Sequence, residues 1–432
     1  MPRKTATAIL VFGFALWISG RGPNGATILA IVRERVPEKP VVPAPIEEAG
    51  TTILPSVGEL WLDSTGSMHT FYESLLRTEQ HQPGAITRIL HYGDSPTTGD
   101  LITADIRAML QARFGDGGHG FVLIGKPWAW YQHRGVTLEA SGWTYQPASQ
   151  GSRALDSLHG LGGVSTIGNS GATSRIILPD EFHRTIEVLY LKQPSGGTFQ
   201  LKAGDEVLLD VSTAADAKSD GYSKALLPVH TRIVSLTVTQ GTVRIFGVIL
   251  EKNGPGVVYS SLGLNGVSIQ TLERYYPAAH WTDELRHANP DLVVMNYGSN
   301  EVSFVKYIDQ YYAKELRTVL QRIHTALPNT AILVMSPMDR GERNEAGQIV
   351  TMAALPRLID IQRQVSQQEG CAFFDTYHAM GGSGTMAKWY AEKPRLVSAD
   401  FLHPMPAGAA KVAELYEQAL MQEYERWKAA RQ

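Results

Sequence analysis

The pattern of hydrophobic and polar residues changes character twice along the 432-residue chain. A buried strand is predicted around Ile89 and Leu90, and helical spacing follows from Leu101 to Phe114. From about 139 to 252, short β-prone runs alternate with turns rich in Gly, Ser, Asp and Asn, which is typical of a β-sandwich. After Gly254 the α/β pattern returns. The pattern predicts one α/β domain that is interrupted by a β insertion.

The individual elements follow from the same periods. In the α/β part we predict strands over Asp291–Tyr297, Thr330–Ser336 and Cys371–Phe374, and helices over 68–77, Tyr307–Leu327 and Ala407–Trp427. In the insertion we predict strands over Arg175–Leu178, Thr185–Leu191, Thr198–Leu201, Glu206–Val211, Thr231–Thr239 and Thr242–Leu250.

The N-terminus has the pattern of a secretion signal. A short basic stretch, Pro2 to Lys4, precedes an apolar core from Ile9 to Ile18. The uncharged run is shorter than the ~20 residues that span a bilayer comfortably. A signal peptide and an uncleaved signal anchor both fit residues 1–20, and a buried N-terminal helix is the structural alternative. We expect an exported, periplasmic or envelope-associated protein, which would be tethered to the membrane if the leader is retained.

Residues 21–58 are predicted to form a linker, because five prolines lie between residues 36 and 58. The remaining chain divides into an α/β domain over 59–138 and 253–432 and an inserted domain over 139–252.

Composition excludes several classes of protein. The formal net charge is −3, so the chain lacks the basic excess that nucleic-acid binding requires. Cys371 is the only cysteine, which rules out an intramolecular disulfide and zinc sites of the CxxC type.

The candidate nucleophile is Ser95, in the segment Gly93-Asp94-Ser95. It follows a predicted strand and precedes a predicted helix, and a sharp strand-to-helix turn can present a side chain at the edge of a sheet. A Gly-Asp-Ser triplet also occurs in ordinary turns, so the triplet alone does not identify Ser95 as a nucleophile. A base and a carboxylate that could act with it are also needed.

Partners for a serine nucleophile occur near the C-terminus. Asp400 and His403 are three residues apart on a predicted turn that leads into the last helix. A carboxylate beside an imidazole fixes its tautomer and stabilises its protonated form, as acyl transfer through serine requires.

Donors for an oxyanion are predicted in two further segments. Gly263 and Gly266 follow a predicted strand, and Asn300 follows the strand that passes through Met295. Plain turns are the alternative interpretation of both segments.

These four segments resemble, in content and order, the four blocks of the SGNH (GDSL-type) hydrolases. The resemblance implies that Ser95 is the nucleophile, that Asp400 and His403 complete the catalytic triad, and that Ser95, Gly266 and Asn300 form the oxyanion hole. It also implies a flavodoxin-like, three-layer α/β domain with a parallel sheet, and neither a metal nor an organic cofactor. Gly263 is the alternative to Gly266.

The sequence departs from the family pattern at two positions. Pro96 replaces the usual leucine after the serine, and the third block reads GSNE instead of GxND, which places Glu301 after Asn300.

A looser resemblance narrows the class. The segment Phe114–Phe121 is similar to a stretch found in peptidoglycan O-acetylesterases, and the insertion resembles a carbohydrate-binding module with a jelly-roll sandwich. These similarities imply a serine esterase that removes O-acetyl groups from peptidoglycan or another acetylated envelope polysaccharide.

Five residues near the predicted blocks or the junction with the insertion are candidate substrate contacts: Asp94, Gly263, Tyr297, Trp128 and Trp130. The tryptophans could stack on sugar rings, and aromatic packing between two domains is the alternative.

Two other functions remain open on the sequence. A polysaccharide O-acetyltransferase would use the same triad, with a sugar hydroxyl in place of water. A non-catalytic glycan-binding protein is the third possible function. The complete triad argues against it.

Overall fold

The computed structural model describes residues 60–149 and 154–431. The predicted leader and linker lie outside these residues. The strands are β1 (Trp61–Leu62), β2 (Ile86–Gly93), β3 (Asp116–Gly118), β4 (Gly120–Val122), β5 (Thr137–Pro147), β6 (Val164–Ile177), β7 (His183–Lys192), β8 (Thr198–Ala203), β9 (Glu206–Ser212), β10 (Ser219–Leu226), β11 (Ile233–Gln240), β12 (Thr242–Lys252), β13 (Gly256–Gly263), β14 (Leu292–Asn296), β15 (Ala331–Met335), β16 (Gly341–Arg343), β17 (Ile349–Thr351) and β18 (Ala372–Phe374).

The helices are α1 (His69–Glu79), α2 (Ser95–Thr98), α3 (Ile102–Phe114), α4 (Ile269–Tyr275), α5 (Ala278–Ala288), α6 (Val305–Tyr307), α7 (Ala313–Ala326), α8 (Leu355–Gln368), α9 (Thr376–Ala379), α10 (Thr385–Ala391) and α11 (Pro406–Ala429). A 3-10 turn, Glu301–Ser303, precedes α6, and a π-helical segment, Ile308–Tyr312, joins α6 to α7. None of the helices in the described ranges combines the length and the apolar character that a bilayer crossing requires.

The first sheet has the strand order β1-β18-β15-β14-β2-β13-β3. Its pairs are parallel except that β1 runs antiparallel to β18. The five central strands therefore follow the flavodoxin-like order, and the predicted fold class is confirmed. Because the chain leaves β2 for β13 on one side and later adds β14 on the other, a crevice is expected where the carboxyl ends of these strands meet.

Both faces of this sheet are buried, which produces three layers. Ile89 packs with the helices α1, α3 and α11 on one face. Leu90 and Tyr92 face the opposite way and pack with α4, α5, α7 and α8. Alternate side chains of a strand point to opposite faces, and each buried large apolar side chain contributes about 1.5–3 kcal/mol.

The second sheet is antiparallel. Its order is β10-β7-β12-β6-β11-β8-β9, with β4 added to β12 and β5 added to β6. The long strand β6 pairs with β12 near its beginning and with β11 near its end. This β-rich region, which follows the first helices and precedes β13, agrees with the predicted inserted domain. Its buried residues Val188, Leu236 and Ile245 belong to the same hydrophobic cluster as Leu90.

The structure adds strands that the sequence pattern did not reveal. β10 has the polar sequence SDGYSKAL, and several of its positions are exposed, so no hydrophobic run marks it. β5 begins at Thr137, two residues before the predicted start of the insertion. β4 falls inside the predicted α/β range but pairs with β12 of the second sheet. The division at residues 139 and 252 remains a prediction.

Candidate active site

The turn that carries Ser95 directly follows β2. The strand ends at Gly93, and Ser95 is the first residue of the short helix α2, which begins with Thr97 N–H donating to the Asp94 carbonyl at 3.0 Å. A Cβ atom on Gly93 would lie 2.1 Å from Thr97 Oγ1, so only glycine fits this sharp turn. The turn holds Ser95 half-buried at the carboxyl edge of the sheet.

The structure brings the predicted triad residues together across more than three hundred positions of sequence. His403 Nε2 lies 2.8 Å from Ser95 Oγ, and His403 Nδ1 lies 2.7 Å from Asp400 Oδ2. Because a carboxylate can only accept, Nδ1 carries the proton and Nε2 is free to accept from the serine hydroxyl. The three side chains thus form one hydrogen-bonded chain.

Asp400 is fixed by its own loop. Its Oδ1 accepts from the backbone N–H groups of Leu402 and His403, each at 3.0 Å, and from the Ser398 hydroxyl. Burial favours a raised pKa for Asp400, but the hydrogen bonds from His403 and Ser398 outweigh it and lower the pKa below its ordinary value. Asp400 is therefore ionised at neutral pH and oriented toward the imidazole.

The predicted oxyanion donors lie on two loops that are joined by a hydrogen bond. Asn300 follows β14, and its Nδ2 donates to the Val267 carbonyl at 2.6 Å. Gly266 has a φ of +67°, in the left-handed region that favours glycine. The alternative residue, Gly263, has a different role, because a Cβ there would lie 2.4 Å from the Thr98 nitrogen. Gly263 allows β13 to approach the nucleophile helix closely.

Glu301, the departure from the family pattern, adds a second bond between the same loops. Its Oε1 accepts from Ile269 N–H at 2.8 Å, and the side chain is 1% exposed. Burial raises the pKa of Glu301 to about 8, with the charge of Asp94 as a further cause. Glu301 is thus mostly a neutral carboxylic acid at pH 7.

Three predicted substrate contacts lie beneath the surface. Asp94 is 1% exposed and Tyr297 is 2% exposed, and Gly263 is buried at the end of β13. Burial raises the pKa of Asp94 to about 6, although a hydrogen bond from Ser299 and the charge of His403 oppose the change. The structure therefore does not support direct substrate contact by these residues, because the strand ends that carry them are covered by neighbouring loops.

A pocket of about 440 Å³, the nucleophile pocket, opens beside Ser95. Asp400, His403 and Pro404 line one side of it, and Leu101, Trp130, Gln132 and Asn265 line others. Trp130 is 53% exposed. Trp128 is partly buried and packs against the hydrophobic core, so only one of the two predicted tryptophans faces this pocket.

A family model, the GDSL-like lipase/acylhydrolase family, matches residues 221–411. The matched range contains Gly266, Asn300, Asp400 and His403. Residues 221–411 of the chain therefore resemble this acylhydrolase family. Ser95 precedes the matched range and is separated from it by most of the second sheet.

Solved structures agree with the family fold. A peptidoglycan O-acetylesterase is similar at 22% identity with a TM-score of 0.74, over 85% of this chain and 99% of that chain. A Bacillus subtilis protein matches at 13% identity over 66% of this chain and 90% of its own, with a TM-score of 0.33. A family two carbohydrate esterase from Clostridium thermocellum matches at 12% identity over 65% and 99%, with a TM-score of 0.29. The last two scores are too low to support an inference. The search of curated proteins found no match.

Asp-x-x-His sequences also occur elsewhere in the chain, and the one that most resembles Asp400–His403 is Asp375–His378. Asp375 follows β18, and its Oδ2 lies 2.8 Å from His378 Nδ1. Asp375 is fully buried, caps α9 and also binds Arg363. The two pairs share the carboxylate–imidazole contact, but only His403 also reaches a serine hydroxyl, at 2.8 Å from Ser95 Oγ, and no local pattern reveals that contact.

Two further polar residues lie next to the site, and neither belongs to the predicted triad or the predicted oxyanion hole. Ser398 orients Asp400, and Arg340 donates to the Ser299 carbonyl behind the predicted oxyanion loop. Both lie in loops at the sheet edge, where sequence spacing carries no information about contacts.

One group of side chains in the described residues has a spacing that could hold a metal ion: Asp220, His280 and Glu284. His280 Nε2 accepts from Gly160 N–H at 2.9 Å, so its proton is on Nδ1, which faces Asp220 Oδ1 at 2.7 Å. A protonated Nδ1 cannot ligate a metal. The arrangement fits a buried polar contact between α5 and the second sheet.

Proposed function

We propose that this protein is an exported serine esterase that removes O-acetyl groups from a cell-envelope carbohydrate, with peptidoglycan as the substrate that we favour. The observation that carries the proposal is the hydrogen-bonded chain from Ser95 through His403 to Asp400. Nucleophile, base and orienting carboxylate are the parts that acyl transfer through serine requires.

In the proposed first step, His403 Nε2 takes the proton of Ser95 while Oγ attacks the ester carbonyl. Asp400 holds the imidazole in the required tautomer and stabilises its positive charge. The Ser95 and Gly266 N–H groups and the Asn300 amide then stabilise the oxyanion. The protonated His403 gives its proton to the leaving sugar oxygen, and an acetyl-serine ester remains.

In the second step, His403 takes a proton from water, and the resulting hydroxide attacks the acetyl-serine carbonyl. Collapse of this intermediate returns the proton to Ser95 and releases acetate. The half-exposed His403 leaves water access to the ester, which favours hydrolysis in this mechanism.

The substrate class rests on two supports. The similar solved structure with a TM-score of 0.74 is a peptidoglycan O-acetylesterase. In addition, the exposed indole of Trp130 and the Gln132 amide line the nucleophile pocket, and an aromatic face with hydrogen-bonding groups suits a sugar. Export rests on the leader pattern in residues 1–20.

Ester hydrolysis by the Ser95→Ala variant tests the proposal. We expect turnover of p-nitrophenyl acetate to fall by about 10³-fold or more, because no other group replaces the nucleophile. Ser64→Ala, at an exposed serine that does not line the nucleophile pocket, is the matched control and keeps its activity. Wild-type turnover in Ser95→Ala would remove Ser95 from the mechanism.

Acetate release from O-acetylated peptidoglycan, compared with acetylated xylan at equal acetyl content, tests the substrate. Preference for peptidoglycan supports the proposal. A preference for xylan would keep the esterase and reject the substrate that we favour.

A further inference from the structure

A second pocket lies directly beyond the predicted oxyanion donors. It has a volume of about 480 Å³, and Gly266 and Asn300 form one of its sides. Asn265, the residue before Gly266, lines the nucleophile pocket. Adjacent residues of one loop therefore line the two pockets.

An exposed aromatic ring dominates the far side of the second pocket. Phe304 is 63% exposed, although its backbone is held by N–H donation to the Glu301 carbonyl at 2.8 Å. The Phe304 carbonyl in turn accepts from Tyr307 N–H at 2.9 Å. The backbone of Phe304 is therefore fixed, and its ring is open to water at a pocket beside the candidate catalytic centre.

The remaining wall is rigid before any ligand arrives. Glu315, which is 5% exposed, accepts from the Tyr307 hydroxyl and from Gln270 Nε2. Arg274 pairs with the same carboxylate at 2.9 Å. Tyr307 and Gln270 both line the pocket, so one buried carboxylate orients two of its walls. Preformed walls reduce the entropy that binding must otherwise overcome.

We propose that this second pocket is a sugar subsite, in which Phe304 stacks on the ring next to the acetylated sugar of a glycan chain. The inference rests on the proposed esterase function and extends it from a single sugar to a polymer. The pocket combines an aromatic face with the Ser268 hydroxyl and the Gln270 amide, which suits a ring that has apolar faces and hydroxyl edges. A fatty acyl chain could pack on the Phe304 ring but could not form hydrogen bonds with these polar groups.

The enzyme should therefore bind the interior of a glycan chain. Trp130 contacts the chain on the His403 side, and Phe304 contacts it on the Asn300 side, while the acetyl group lies between them at Ser95. Short substrates reach only one of these aromatic residues.

A series of O-acetylated N-acetylglucosamine oligomers, from one to six sugars, tests the subsite through kcat/KM for acetate release relative to kcat/KM for p-nitrophenyl acetate. In the wild-type protein this ratio should rise with length, and in Phe304→Ala the rise should shrink by about tenfold, because a stacked ring is lost. Phe304→Trp should restore it. Tyr311→Ala removes a ring that is 50% exposed but lies outside the pocket, and keeps the wild-type ratio.

Two results would overturn the subsite. One is the same length dependence in Phe304→Ala as in the wild-type protein. The other is a loss of kcat/KM in Phe304→Ala that grows along a series of p-nitrophenyl esters from acetate to octanoate. Such a result would assign the pocket to the acyl chain. In both cases hydrolysis that still depends on Ser95 would leave the esterase proposal intact, whereas loss of that dependence would reject the esterase itself.

Discussion

Replacing Glu301 with glutamine should stabilise the protein, and the gain should depend on pH. Burial raises the pKa of this carboxyl from 4.5 to about 8. Between those values the folded protein keeps a proton that the unfolded chain has lost, so the free energy of unfolding falls as pH rises. From the ordinary pKa of 4.5 up to pH 7 there are about 2.5 pH units. At about 1.4 kcal/mol per unit, the free energy of unfolding is therefore lowered by about 3 kcal/mol at pH 7.

Glu301→Gln removes this cost because an amide has no proton to lose. Its side-chain oxygen can still accept from Ile269 N–H, so the link between the two loops is kept. The variant should exceed the wild-type free energy of unfolding by up to about 3 kcal/mol at pH 7, and the gain should shrink toward zero near pH 4.5.

Urea unfolding followed by tryptophan fluorescence at pH 5, 6, 7 and 8 measures this difference. Glu345→Gln removes an exposed carboxylate from the turn between β16 and β17 and is the matched control. A gain that is equal at pH 5 and pH 7, or a gain that Glu345→Gln shares, would refute the reasoning from burial.

Two further predictions concern the triad and the oxyanion hole. His403→Ala should lower p-nitrophenyl acetate turnover by about 10³-fold or more, whereas His378→Ala, in the Asp375–His378 pair, should stay within about twofold of the wild-type rate; similar losses in both would contradict the assignment of His403 as the base. Asn300→Ala removes the predicted amide donor and should lower kcat by about 10²–10³-fold with little change in KM, as initial rates over a range of ester concentrations would show; an effect on KM alone would instead assign Asn300 to substrate binding.

Much of the architecture could be predicted because the relevant signals are local. A buried strand, a glycine-containing turn and a helix occur together around Ser95, and parallel strands bring such turns to one edge of the sheet. The position of the β-rich region was predictable for a similar reason, since hydrophobic alternation marks β7, β11 and β12. β10 was missed because it is polar, and its neighbour β7 is what defines it as a strand.

The depth of individual side chains could not be predicted in the same way. Asp94 and Ser95 are adjacent, yet one is buried and the other half-exposed, because loops that are distant in sequence cover only one of them. Phe304 shows the reverse case. A phenylalanine is ordinarily expected inside, and its exposure depends on how the turn after β14 leaves the sheet.

The chain passes from the first sheet to the second within a single residue. β3 ends at Gly118 and β4 begins at Gly120, and a Cβ on Gly118 would lie 2.5 Å from the Leu250 carbonyl oxygen of β12. The second sheet is therefore joined to the first by close backbone contacts, so it cannot be removed as an independent unit. Excision of residues 139–252 would remove β12, the strand that pairs with β4. Phe121 and Val122 of β4 would then be exposed to water. Any transplant of this region into another enzyme would have to carry residues 116–122 with it.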